Sequence, residues 1–142
     1  MREIKFRGKR IDNGEWVSGW FVGYSEYSSY IYGDYIGGEV WEVLTSTVGQ
    51  FTGLLDKNGK EIYEGDVIRV VNYLGEVPEE LESDSDTGVV EWLDKLCYWY
   101  VSGIGHGLGT LAYAPFFPRY AYQIEIIGNR FENPELLEEA TP

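Results

Sequence analysis

Three groups of residues in this 142-residue chain have types and spacing that could do chemistry. The first is SGIGHGLGT at 102–110, where four glycines alternate around His106. Such a run could cradle a phosphate on its backbone N–H groups, with Gly105 and His106 as the contacts. It has neither a GKS/T ending nor dinucleotide spacing, and no strong helix pattern follows it, so the plainer expectation is an irregular Gly-rich loop. The second group is Cys97 with His106, the only cysteine and the only histidine. A thiol–imidazole nucleophile needs the two side by side, and nothing in the sequence places them so. One of each also falls short of a closed zinc site within the chain, and Cys97, among Leu96, Tyr98 and Trp99, reads as a small strand residue. The third group is Asp56, Glu64 and Asp66, a carboxylate set that could bind a cation or serve as acid and base. Asp and Asn are also ordinary turn residues, and turn geometry accounts for them with fewer assumptions. No cofactor, metal or catalytic residue is expected.

The aromatic excess is more informative. The chain has 6 Phe, 5 Trp and 12 Tyr, and Tyr24, Tyr27, Tyr30, Tyr32 and Tyr35 crowd one short segment rich in Ser and Gly. So many tyrosines in a small protein cannot all be central, because each buried hydroxyl needs a partner. Exposed Tyr and Trp favour protein interfaces. Tyr27, Tyr30, Tyr32 and Tyr35 are therefore the candidate interaction surface, set against the simpler reading of a strand face covering the edge of the core.

The elements that would position these residues are strands. Glu3 to Arg7 alternates polar and apolar with period two, the pattern of a half-buried strand with Ile4 and Phe6 pointing inward. A turn at Asp12-Asn13-Gly14 and a strand over 15–24 complete an N-terminal hairpin. Residues 25–39 read as strand fragments turning at Gly33-Asp34, and VWEVLTST at 40–47 as a further strand. In QFTGLLDKNGKEIYEGDVIRV, Asn58-Gly59 suits a type I′ turn and Gly65 permits another reversal. Three neighbouring strands in a meander are expected there. A strand pair over 88–101 turns at Asp94-Lys95, and a last strand covers 120–127. Asn133-Pro134-Glu135 then starts a short C-terminal helix, with Asn as cap and Pro at the first position. The expected fold is one mainly β domain over 1–142. The strands around 60–71, 88–101 and 120–127 would form a small barrel or strongly bent antiparallel sheet, with the hairpin packed alongside. EVPEELESDSDT at 76–87 is expected to be a mobile acidic loop, and 102–119 an irregular Gly- and Pro-rich segment.

Charge narrows the partners. The net charge is −13 and uneven: 8 Lys+Arg stand against 11 Asp+Glu in residues 1–75, and 3 against 13 in residues 76–142. An acidic surface repels nucleic-acid backbones, whose neutralisation supplies most of the affinity for them. The one basic cluster is Arg2, Lys5, Arg7, Lys9 and Arg10. The N-terminus lacks the apolar core of a signal peptide, and no apolar run is long enough for a membrane helix. A soluble cytoplasmic protein with no membrane role and no nucleic-acid partner is expected.

Four blocks, MREIKFRGKR, TVGQFTGLLDKNGKEIYEGDVIRV, GVVEW and IEIIGNRFENPELL, resemble in that order the YopX protein family of bacteriophages and prophages. Together they cover a little over a third of the chain, and the segments 25–47, 72–87 and 93–120 show no family pattern. The resemblance implies a small phage-encoded protein of the bacterial cytoplasm, β-rich and often oligomeric. It carries over Gly53, Asp56, Asn58, Gly59, Gly65 and Asp66 as motif positions with no chemical role attached. The functional expectation is a non-enzymatic accessory protein acting by protein–protein contact. Its partner would be itself, or a host factor reached in one version by acidic imitation of nucleic acid. The alternative is a small-ligand or phosphate binder, or an enzyme, built on the loop around His106.

Overall fold

A computed structural model of the chain describes residues 3–33, 38–73, 85–95, 97–103 and 121–137. The chain divides into two compact units, Met1–Leu54 and Leu55–Pro142. Both are built from antiparallel strands, and among the described residues no α-helix occurs.

In the first unit, β1 (Phe6–Lys9), β2 (Trp16–Gly23), β3 (Ser29–Tyr32), β4 (Val40–Val43) and β5 (Gly49–Leu55) lie in the order β4-β3-β2-β1-β5. The expected N-terminal hairpin is present, with Phe6 opposite Gly19 and Lys9 opposite Trp16. A second hairpin pairs Ser29 with Val43 and Tyr32 with Val40. Beyond β4 the chain makes one 3-10 turn, Thr45–Thr47. The far edge of β4 returns to the end of β1 through an Arg10–Val43 bridge. The N–H of Leu44 donates to the Lys9 carbonyl and that of Ile11 to the Glu42 carbonyl. The sheet therefore curls over its inner face, where Ile31 and Val43 are almost fully buried and the Phe6 and Phe21 rings meet at 5.5 Å. Burying each such aliphatic side chain contributes roughly 1.5–3 kcal/mol. Gly8 lies directly under Val43, where a Cβ would come within 2.9 Å of the valine side chain. Ile4, expected inside, is 56% exposed: it precedes β1, which begins at Phe6.

The second unit holds β6 (Glu61–Tyr63), β7 (Asp66–Tyr73), β8 (Ser85–Leu93), β9 (Tyr98–Gly103) and β10 (Ala121–Asn129). The last four form a sheet in the order β10-β7-β8-β9. Its core includes Ile68, Val90, Trp99, Val101 and Ile124, with the Trp92 and Trp99 rings edge to face at 5.0 Å.

The structure corrects several expectations. No closed barrel forms: β9 and β10 are the opposite edges of their sheet, so the strands expected to encircle a barrel stand open. The meander over 50–70 does not run to its third strand, because β7 pairs with β8 and β10. The C-terminal helix is only a 3-10 turn, Pro134–Leu137. The Asn133 side chain is turned back to accept from the Asn129 N–H at 3.2 Å instead of capping the turn that follows. Cys97 sits in the β8–β9 turn, exposed and at a φ of 54°, not in a strand. Of the acidic run 76–87, residues 85–87 open β8, and 76–84 lie outside the described residues. Of the Gly-rich segment, Ser102 and Gly103 end β9, and 104–119 lie outside the described residues. No helix among the described residues is long and apolar enough to cross a membrane.

Candidate functional site

Two groups of sequence-selected residues come together, one in each unit. In the second unit, Asp56 begins the Asp-Lys-Asn-Gly turn and is 6% exposed. Its Oδ1 accepts from the N–H groups of Asn58 and Lys60 at 2.8 and 2.9 Å. Its Oδ2 accepts from the Ile126 N–H at 3.2 Å, beside the bulge where β10 shifts register against β7. The next residue, Lys57, donates its N–H to the Ile124 carbonyl at 2.8 Å. Ile124 and Ile126 stand on the free edge of β10, so the turn satisfies groups that an edge strand would otherwise leave unpaired. Burial alone would raise the Asp56 pKa. The donors from Lys60, Ile126 and Asn58 and the Lys60 charge outweigh that and hold the carboxyl below its ordinary range. Alongside, Glu125 pairs with Arg69 at 2.5 Å and Lys57 at 3.4 Å.

Asp66 is similarly occupied. It is 1% exposed and accepts from the Tyr63 N–H at 2.8 Å, closing the turn in which Gly65 takes a φ of 89°. Gly65 donates to the Val90 carbonyl and accepts from the Arg130 N–H, and a Cβ there would come within 3.0 Å of the Phe131 ring. Gly59, at a φ of 80°, completes the Asp56 turn. Asp56, Asn58, Gly59, Gly65 and Asp66 thus hold the central motif against the Ile-Gly-Asn-Arg-Phe segment. Turn formation and edge protection account for these five positions. Gly53 is in β5 of the first unit, at a φ of 86° with open space around it. Among the described residues, no group of three or more His, Cys, Asp or Glu is placed to hold a metal ion. Gly105 and His106 lie outside the described residues.

In the first unit, the outer sheet face carries exposed aromatic and apolar side chains. The ladders pair Trp20 with Tyr32 and Val22 with Tyr30, then Tyr32 with Val40 and Tyr30 with Glu42. Residues directly opposite share a face, and faces alternate along a strand. With Ile31 and Val43 inward, Trp20, Val22, Tyr30, Tyr32, Val40 and Glu42 all point outward. Trp20 is 64% exposed and Val40 48%. Tyr24, just past β2 and 69% exposed, meets Tyr30 edge to face at 5.6 Å. Hydrogen bonding to Tyr24, with the Tyr24 and Tyr30 hydroxyls close by, raises the Tyr32 pKa. Tyr24, Ser28, Tyr30, Tyr32 and Val40 line an open depression of about 450 Å³.

Of the four tyrosines selected from sequence, Tyr30 and Tyr32 belong to this face. Tyr27 stands at the tip of the β2–β3 turn, 83% exposed, and Tyr35 lies outside the described residues. Sequence reasoning missed Trp20 and Val40, and selected Tyr24 only as one of a crowd. The available signal was Trp20-Phe21-Val22, apolar at successive positions. Such a run cannot send all its side chains to one face of a strand.

The family model described as YopX protein matches residues 5–138. No curated protein matches the chain.

Proposed function

Because the chain belongs to the YopX protein family, with a match over 5–138, we propose that it is a non-enzymatic accessory protein of a phage or prophage. It works in the bacterial cytoplasm by contact with another protein chain, through the outer face of the first unit. One observation carries this reading: Trp20, Tyr24, Tyr30, Tyr32 and Val40 form an apolar, aromatic sheet face, with Trp20 and Tyr24 about two-thirds exposed. Exposed aromatic patches on one rigid face have the composition of interaction sites. The motif residues support the same division of labour, since Asp56 and Asp66, two of the three carboxylates that could have served as acid and base, accept from backbone N–H groups.

The partner is a further copy of the chain or a host protein, and imitation of nucleic acid is one form of the second. The test is a Tyr30→Ser/Tyr32→Ser variant, compared with the wild type by solution mass and by recovery of stoichiometric partners from a bacterial lysate. The proposal expects one defined complex, homomeric or mixed, that the variant loses while melting within about 3 °C of the wild type. Identical assemblies from both proteins would overturn it.

A further inference from the structure

The first unit has a charge pattern that its near-balanced N-terminal half conceals. Residues 11–55 contain Asp12, Glu15, Glu26, Asp34, Glu39 and Glu42, and no lysine or arginine. This stretch includes β2, β3, β4 and their connections, so no cation stands on the strands that make the aromatic face. Glu42 is exposed on that face, directly across the ladder from Tyr30, and Glu26 and Glu39 are exposed in the adjoining loops. The described cations nearest in sequence flank this patch: Arg7 and Lys9 lie opposite Ser18 and Trp16, with Arg7 over the Trp16 ring, and Arg10, which pairs with Asp12, lines a pocket with Val40 and Glu42. Lys5 pairs with Glu3 and lies over the Phe51 ring.

Resting on the reading of this face as an interface, we propose that its occupant is a cationic polypeptide segment of a different protein, whose arginine or lysine side chains lie against Tyr24, Tyr30 and Tyr32 and pair with Glu42. Tyrosine rings attract such cations through their negative faces, and a carboxylate beside the ring adds an ion pair that fixes position. The Tyr24–Tyr30 contact and the hydrogen bonding of Tyr32 hold the rings in place before binding, which reduces the ordering that binding requires. A second copy docking through the same face would set carboxylates against carboxylates, and like charges across an interface are unfavourable.

The test uses the full chain and a dodecapeptide with four arginines spaced by glycine and serine, beside the same peptide with citrulline in their place. Binding is read from intrinsic fluorescence at 0.15 M salt, where charges more than about 8 Å apart are largely screened. The arginine peptide is expected to bind at least tenfold more tightly than the citrulline peptide. Glu42→Gln and Tyr30→Leu should each weaken it fivefold or more. Tyr30→Phe, which keeps the ring, should stay within twofold, as should Glu132→Gln in the second unit. Equal affinity for the two peptides overturns the inference. So does equal weakening by Glu132→Gln and Glu42→Gln, which would show only the attraction of the whole acidic molecule. A homo-oligomer that needs Tyr30 and Tyr32 and excludes the peptide also overturns it, but leaves the interface reading intact. If the tyrosine variants change neither peptide binding nor assembly, both fall together.

Discussion

Asp56 is the place where a single carboxylate should matter most to stability. Replacing it with alanine removes the acceptor for the N–H groups of Asn58, Lys60 and Ile126. A hydrogen bond to a charged group contributes about 1.5–3 kcal/mol, and a neutral one about 1 kcal/mol. The Asn58 and Lys60 N–H groups lie in an exposed turn where water can replace the carboxylate. The Ile126 N–H is on the partly buried edge of β10, so its loss is the larger. Together the expected cost is roughly 2–4 kcal/mol, or about 8–16 °C in melting temperature at ~4 °C per kcal/mol. Asp56→Asn keeps Oδ1 but faces Ile126 with an amide in place of Oδ2, and should cost about half as much. The pH dependence carries a definite sign. The folded carboxyl titrates below its ordinary value of 3.8, so its contribution is fully present above that value and is lost as pH falls through the depressed folded pKa. The gap between wild type and Asp56→Asn should therefore be widest near pH 7 and close below pH 4. Thermal melts at several pH values measure it, and hydrogen exchange at the Ile126 amide reports the local release. An Asp56→Ala protein melting within 2 °C of the wild type, or a gap unchanged from pH 7 to pH 3, would refute the reasoning.

Three other outcomes are expected. Gly19 has a φ of 154°, and a Cβ there would overlap the Tyr32 carbonyl oxygen. Gly19→Ala should cost more than ~3 kcal/mol, seen as loss of amide dispersion for residues 6–43 in NMR spectra. Cys97→Gly should stabilise the β8–β9 turn by up to ~1 kcal/mol, because it relieves a left-handed conformation; denaturant midpoints for the Gly, Ala and Val variants should fall in that order. Glu125→Gln should lower the melting temperature only slightly, and the difference should shrink in 1 M salt, since Lys57 and Arg69 meet Glu125 near the surface.

The sequence by itself determined the strands, their turns and the family. Gly59, Gly65 and the period-two alternation around Phe6 are local signals of reversals and strands, but the reversal at Asn58-Gly59 is not the expected type I′ turn, since Gly59 takes a positive φ and Asn58 does not. Composition also determined that the aromatics exceed what a core of this size can hold. Only the tertiary structure decided which strands are neighbours. Pairing depends on contacts far apart in sequence, such as Asp56 with Ile126 across 70 positions, and the turn at Gly65 looks the same whether the next strand stays in the sheet or leaves it. The same holds for the face. Trp20, Tyr32 and Val40 become one surface only through the register of two ladders, and a shift of one residue would turn a strand's outward side chains inward. Charge behaved likewise: the half-chain count diluted an all-acidic stretch with the cations of residues 2–10 and 57–69. The β3–β4 register then set Glu42 directly across from Tyr30, twelve positions away in sequence.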